Sequence, residues 1–341
     1  MRLHSFILAT AAVAASAASA LAIDEIVPVG DQKVMLAKKV TVGRDEITVI
    51  DGQNRESKMP VANVLWVKFG GEPNELSDGR EQARRNGKYE EVLASLSKLK
   101  KAEVTPPEAQ ADVAFYIALC KAKLALVGKE TIQNAGQALA GFIKDYPDHY
   151  TFYEANELLG DLSRARKDYA NAVKFYAQLA KNKDMAVRAN ALVGWTHLEQ
   201  DKPDDAAKAF DAALADRSTG EAAEAQKRLA AVGKAACVVA KGQAAEAVKL
   251  VEDVIEKSPP EGLDARMYNV LGSAQAKNND AKAAVMAYLH VDLMYSQDPA
   301  EHAEALGNLK ELWKQIGQPE RGEEANRRLQ RLYPTSVWAK K

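Results

Sequence analysis

Small residues set in the middle of apolar helical faces recur along this chain and restrict its fold more than any other feature. In residues 191–214, ALVGWTHLEQDKPDDAAKAFDAAL, two helix-like stretches are separated only at Asp201-Lys202-Pro203. In three places a small residue in the first stretch is matched by one in the second: Gly160 with Ala172, Gly194 with Ala206 and Gly272 with Ala284. An aromatic residue follows the second small residue by four positions, at Tyr176, Phe210 and Tyr288. Two antiparallel helices approach closely where one side chain is nearly absent. The pattern therefore predicts packed helix pairs.

The apolar period changes from two to about 3.6 after Pro73, and strand signals are lacking from there on. Short inner turns such as NGKY at 86 and KNND at 277 alternate with outer breaks such as DYPDHY at 145 and KSPPEG at 257. The alternation defines a self-similar unit of about 34 to 43 residues. Seven helix pairs are predicted over residues 74–334, followed by a short tail at 335–341.

At these positions the sequence resembles the tetratricopeptide repeat family. The clearest copies are LLGDLSRARKDYANAVKFYAQL and VLGSAQAKNNDAKAAVMAYLHV, which keep the Leu-Gly pair, the central Ala and the aromatic residue. The segment 112–147 departs most from the pattern, so its helix boundaries are not set by the resemblance. The family implies a mainly α fold, an α-solenoid of about seven helix pairs, that binds ligands on its concave side.

Residues 23–70 differ from the rest of the chain and predict a small β-module. The stretches KVMLAKKVTV, DEITVID and VANVLWVKF alternate apolar and polar residues, with turn formers between them. We expect four or five short antiparallel strands in a barrel or a curled sheet. This module either caps the first helix pair or binds a ligand of its own.

Residues 1–22 predict a secretory signal peptide. An apolar run from Phe6 to Ala15 is followed by the small-residue sequence Ala20-Leu21-Ala22. Cleavage leaves 45 Lys and Arg against 47 Asp and Glu, a net charge of −2. The mature chain is expected to be exported to the periplasm or the exterior, without a membrane span and without affinity for nucleic acid.

Catalytic and metal-binding motifs are not found. His149, His197, His290 and His302 are scattered over separate predicted helices, without the spacing of metal ligands. We predict no cofactor, no metal and no catalytic residue. Cys120 and Cys237 fall in the second and fifth helix pairs, too far apart for a disulfide, so both are predicted to be free thiols.

The first helix of each pair faces the concave side of such a superhelix. By register with the clearest copies, candidate partner-binding residues there mix acids, bases, an amide and one aromatic side chain. They are Arg84, Glu157, Asp161, Arg164, Arg188, Trp195, Arg266, Asn269 and Lys277. The alternative for each is an ordinary solvated helix face, and for Trp195 packing against the adjacent pair. The family's Lys, Arg and Asn clamp for a terminal carboxylate is not found at the corresponding positions.

The sequence favours a non-enzymatic scaffold of the bacterial cell envelope that binds a protein or peptide partner on its concave face. Two alternatives stay open. One is a structural component that self-associates through strand edges in the β-module or through terminal helices. The other is an accessory subunit of an enzyme acting on wall polymer.

Overall fold

The computed structural model describes residues 23–30 and 33–341, so the predicted signal peptide lies outside the described residues. Six strands form two three-stranded antiparallel sheets, with strand orders β2-β1-β6 and β3-β4-β5. The strands are β1 (Asp24–Pro28), β2 (Met35–Ala37), β3 (Lys39–Val42), β4 (Glu46–Ile50), β5 (Glu56–Pro60) and β6 (Val64–Lys68).

Fourteen α-helices follow in the described part of the chain and form seven antiparallel pairs. They are α1 (Asn74–Asn86), α2 (Tyr89–Leu96), α3 (Pro107–Leu126), α4 (Ile132–Asp145), α5 (Phe152–Ala165), α6 (Tyr169–Leu179), α7 (Ala186–Glu199), α8 (Pro203–Ala215), α9 (Glu221–Ala240), α10 (Ala244–Lys257), α11 (Ala265–Lys277), α12 (Ala281–Met294), α13 (Pro299–Gln315) and α14 (Pro319–Leu332). The predicted fold class, a solenoid of seven helix pairs behind a small antiparallel β-module, is confirmed.

The number of strands was underestimated for two reasons. The stretch KVMLAKKVTV is divided at Lys38, because Met35–Ala37 pairs with β1 whereas Lys39–Val42 pairs with β4 in the other sheet. The strand Glu56–Pro60 pairs with β4 but is largely exposed and lacks apolar alternation. Its strand conformation comes from its neighbour rather than from its own residues.

Each inner turn contains one residue with a left-handed backbone conformation. These residues are Gly87, Gly128, Lys167, Asp201, Gly242, Asn279 and Gly317. In six of the turns, the residue after the left-handed one donates its backbone amide to the carbonyl of the residue five positions before it, as in a Schellman motif. In the third pair, for example, the Asp168 amide donates to the Ser163 carbonyl at 2.9 Å. The repeated geometry ends the first helix of every pair and directs the chain back along it.

The glycines in the first helices allow the close helix packing that their spacing predicts. A Cβ added at Gly160 would lie 2.3 Å from the Tyr176 ring, and one at Gly272 would lie 2.7 Å from the Tyr288 ring. The Phe210 ring covers both Gly194 of its own pair and Gly233 of the next pair. The aromatic residue therefore closes the helix pair and, in this case, also joins it to its neighbour.

Cys120 and Cys237 are both free and buried, as predicted. Burial in apolar surroundings raises the pKa of the Cys120 thiol to about 12 and that of Cys237 to about 11. No helix within the described ranges is long and apolar enough to cross a membrane.

The β-module is anchored to the helices by buried polar contacts. Tyr150 bridges the two parts, because its hydroxyl accepts from the Val67 amide at 3.3 Å and donates to Asp112 of α3 at 3.2 Å. In the turn between β3 and β4, Asp45 accepts from Tyr153 at 2.6 Å and from Asn182 at 3.0 Å. The module therefore docks onto several helix pairs.

The helical superhelix closes on itself. The seventh pair reaches the second, where the Thr335 hydroxyl donates to the Val127 carbonyl at 2.7 Å and Lys123 lies 3.8 Å from Asp298. The repeat pattern predicts an accessible concave face. Because the superhelical turn is completed within seven pairs, the concave side is instead the wall of an internal channel.

Candidate functional site

Three adjoining cavities follow the inside of the superhelix and together form what we call the channel. The junction cavity, about 250 Å³, lies between the β-module and the first turns of α5, α7 and α9. The middle cavity, about 360 Å³, adjoins it at Glu157 and Arg188. The mouth cavity, about 390 Å³, adjoins the middle cavity at Trp195 and Arg266. The last turns of α7, α9 and α11 meet the first turns of α13 at the mouth cavity.

Ion pairs between the first helices of different repeats line the junction and middle cavities. Arg84 of α1 donates to the Tyr116 hydroxyl at 2.6 Å and to Glu154 of α5 at 2.7 Å. Arg188 of α7 donates to Glu157 of α5 at 2.8 Å. The arginine beside it lowers the pKa of Glu154 against the effect of burial, whereas burial raises the pKa of Glu157. These ion pairs connect the first helix pair to the third, and the third to the fourth, along the channel wall.

Arg164 in the middle cavity is only partly paired. Its Nε lies 3.3 Å from Glu199, and one Nη lies 3.8 Å from Asp161, which also accepts from the Tyr176 hydroxyl at 2.7 Å. Its other terminal nitrogen, Nη1, is buried and has no hydrogen-bond partner among the described residues. A buried donor without a partner costs free energy that a ligand accepting from it would recover.

Trp195 separates the middle cavity from the mouth cavity. The Arg266 guanidinium lies 4.9 Å from the ring centroid, and the Phe210 ring packs against the indole edge at 5.4 Å. Arg266 also donates from Nε to Glu301 at 2.7 Å. Trp195 therefore packs against its neighbours, which was one alternative, and also lines both cavities, as the partner-binding alternative requires.

The polar wall of the mouth cavity combines three carboxyl groups and one amide with two cations and one hydroxyl: Glu199, Glu301, Glu304, Asn269, Arg266, Lys277 and Ser273. Asn269 is 2% exposed and donates from Nδ2 to the side chain of Glu301 at 2.8 Å, which leaves its Oδ1 without a partner in the described part of the chain. Burial and the neighbouring Glu301 raise the pKa of Glu304 to about 7. Lys277 and Glu199 are exposed at the rim.

All nine residues predicted from the repeat register line the channel. They lie on the inner side of the superhelix, where Lys277 is exposed at the rim and the other eight are partly or fully buried. Asn269 is buried, and five of the others form ion pairs between helices (Arg84, Glu157, Arg188, Arg164 and Arg266). Asp161 pairs with Arg164 on its own helix. Their role in binding stays a prediction.

Sequence reasoning missed Glu154, Glu199, Glu301 and Glu304, which also line the channel. Glu301 and Glu304 lie three residues apart on α13, as expected for one helix face. Extending the register of the clear copies into the seventh pair would have found them. That pair has Gly322 in place of the central Ala, so its register was less evident.

A second polar cluster lies outside the channel. His302 contacts Asp292 at 2.8 Å through Nε2 and the Tyr333 hydroxyl at 2.7 Å through Nδ1, and Arg328 donates to Asp292 at 2.6 Å. Burial raises the pKa of Tyr333 to about 12, so its hydroxyl stays protonated at neutral pH. The cluster joins α12, α13 and α14 and has the character of a structural network. No group of three or more side chains suited to holding a metal ion occurs in residues 23–30 and 33–341.

The family model of a tetratricopeptide repeat matches residues 194–233. No curated protein matches the sequence.

Three solved structures illustrate the similarity. A tetratricopeptide repeat protein from Parabacteroides merdae is 14% identical, with 79% of this chain and 97% of that chain covered and a TM-score of 0.48. A Rap protein complexed with competence and sporulation factor is 10% identical, with 78% of each chain covered and a TM-score of 0.49. The type IV pilus biogenesis factor PilW is 17% identical, with 67% of this chain and 96% of that chain covered and a TM-score of 0.42. The stretch of this chain that matches a family model, residues 194–233, is similar to a tetratricopeptide repeat.

Proposed function

We propose that this protein is a non-enzymatic scaffold that binds a segment of a partner polypeptide inside the channel. The observation that carries the proposal is that two residues lining the channel, Arg164 and Asn269, each keep one buried polar atom, Nη1 and Oδ1, without a partner among the described residues. A polypeptide backbone offers both a carbonyl acceptor and an amide donor at short intervals, so an extended segment can satisfy both. Because the walls are held by ion pairs between helices, little ordering of the scaffold accompanies binding.

The β-module limits the direction from which a partner reaches the channel. Val61, Val64 and Leu65 line the junction cavity, and Gly30 lies against the Glu221 carboxyl at the start of α9. The mouth cavity has exposed rim residues and is therefore the end through which we expect the segment to insert. The export predicted from residues 1–22 would place this activity in the bacterial cell envelope.

Site-specific photo-crosslinking in the native cell tests the proposal. A photoreactive residue at Ser273, on the wall of the mouth cavity, should yield an adduct with another protein. The same residue at Leu250, 41% exposed on the second helix of the fifth pair, is the matched control and should not yield that adduct. The absence of any adduct at Ser273, or an identical adduct at both positions, would contradict binding in the channel.

Self-association is a second candidate, favoured by the edge of the first sheet. Strand β2 lies at this edge, and Leu36 is 65% exposed beside the half-exposed Met35. An exposed apolar edge strand can pair with a second copy of the chain. Light scattering over a range of concentrations separates the candidates, because a constant monomer mass excludes assembly through this edge.

A further inference from the structure

We infer that the mouth cavity is the subsite for a basic side chain, a lysine or an arginine, of the polypeptide bound in the channel. The inference rests on the proposed function and specifies the chemistry of the partner. It is carried by the unmatched acceptors of the mouth, by its apolar wall and by the direction of the helices that end there.

The mouth has more hydrogen-bond acceptors than its own donors satisfy. Of its three carboxylates, Glu199 pairs with Arg164 and Glu301 with Arg266, whereas Glu304 forms no ion pair within the described residues. The buried Asn269 adds an acceptor, because its amide nitrogen is engaged by Glu301 and its Oδ1 is unpartnered. A ligand that fits these atoms must donate hydrogen bonds and carry positive charge.

Helix direction adds to this preference. The last residues of three parallel helices, Glu199 of α7, Ala240 of α9 and Lys277 of α11, all line the mouth cavity. The C-terminal end of a helix carries a partial negative charge. Three such ends around one cavity favour a cation, whereas Lys277 at the rim and the single N-terminal turn of α13, at Glu301, offset part of this charge.

The remaining wall is apolar and selects an organic cation over a metal ion. Leu198, Val239 and Val270 line the cavity together with Trp195. The methylene stem of a lysine or an arginine packs on such a surface while its charged group reaches the carboxylates.

The environment of Glu304 agrees with an unfilled cation position. Its carboxyl faces Glu301 on the same helix, Glu199 on α7 and Tyr288 on α12, with Arg266 on α11 and Lys341 of the tail as the facing cations. Burial and the like charge of Glu301 keep its pKa well above the usual value of 4.5. A bound ammonium or guanidinium group would favour the ionised carboxylate and relieve this repulsion.

Titration of the full mature chain with defined probes tests the inference. The probes are acetyl-Ala-Lys-Ala-amide, the same peptide with norleucine in place of Lys, and n-butylamine, followed at pH 8 by the NMR signal of the Trp195 indole. The lysine peptide should bind saturably and the norleucine peptide should not. Glu304→Gln should weaken binding by roughly tenfold or more, because a hydrogen bond to a charged group contributes on that scale.

Glu311→Gln is the matched control, since Glu311 lies on the same helix but is exposed and should not affect binding. Saturable binding of n-butylamine as well supports recognition of the ammonium group itself, and binding of the lysine peptide alone supports recognition of a polypeptide. The inference is overturned by equal binding of the norleucine peptide, by no binding of either charged probe, or by an unchanged affinity in Glu304→Gln. In each of these cases an adduct from Ser273 would still support the scaffold.

Discussion

The turn inside each helix pair depends on one residue with positive φ, and in three of the seven pairs that residue is not glycine. Lys167, Asp201 and Asn279 have φ values of 61°, 57° and 64°. Because a Cβ is crowded in this conformation, a lysine there is less favourable than an asparagine or a glycine. Lys167 is exposed, so its side chain offers little packing in return.

We predict that Lys167→Gly stabilises the protein by about 0.5–1 kcal/mol, because the relief of backbone strain exceeds the entropy that glycine adds to the unfolded chain. Urea unfolding followed by circular dichroism measures the change. Lys174→Gly, at an exposed position inside α6, is the control and should destabilise by about 1 kcal/mol. Destabilisation by both substitutions would mean that the turn carries no strain.

Glu304 gives a second prediction at this scale. Its folded-state pKa of about 7 lies above the usual 4.5, so its ionisation opposes folding. The opposing contribution is absent below the unfolded-state pKa and complete above pH 7. Glu304→Gln should therefore raise the free energy of unfolding at pH 8 by on the order of 1–3 kcal/mol and change it much less at pH 5. An equal change at both pH values would show that the carboxyl does not titrate in this way.

At the scale of elements, a buried cluster of charged side chains around Arg80 connects the β-module to the helices. Arg80 of α1 is fully buried and forms ion pairs with Glu72, which follows β6, and with Asp112 of α3. Burial raises the pKa of Glu72 even beside this arginine. The cluster fixes the position of the sheet relative to the first two helix pairs.

Removing the charge of Arg80 leaves two buried carboxylates without compensation. Arg80→Met should therefore lower the free energy of unfolding by roughly 3–5 kcal/mol. Arg85→Met, on the exposed face of the same helix, should cost less than about 1 kcal/mol. Guanidinium unfolding measures both values, and similar small losses would indicate that water or rearrangement replaces the arginine.

The helix pairs could be predicted from the sequence, whereas the ion pairs of this junction could not. The helix pairs could be predicted because a small residue and an aromatic one lie within a single repeat, as with Gly160 and Tyr176. Arg80 lies in a charged segment and its partner Asp112 is 32 residues away, in the least regular repeat. The register located the nine channel residues, but it could not reveal their pairing, which depends on the superhelical twist between repeats.

At the scale of the molecule, closure of the superhelix converts a concave surface into a channel. The contact between the ends has an apolar part, where the buried Val127 belongs to the apolar cluster of the last helix pairs, and a polar part, where the Lys123–Asp298 pair is partly exposed to solvent. Lys123 also faces Asp161 and Glu157 inside the channel. Its charge therefore holds the second and the seventh pairs together and offsets part of the acidity of the wall.

Lys123→Glu should open the ring, because the new carboxylate would face Asp298, Asp161 and Glu157 at once. We expect a larger radius of gyration by small-angle X-ray scattering at low salt and a smaller increase at high salt, where repulsion between the partly exposed charges is screened. Lys98→Glu, at an exposed position of the first pair, is the control and should leave the radius unchanged. If Lys123→Glu stays as compact as the parent chain, the ends are held by the Thr335 contact and by packing, and a partner segment reaches the channel only through the mouth.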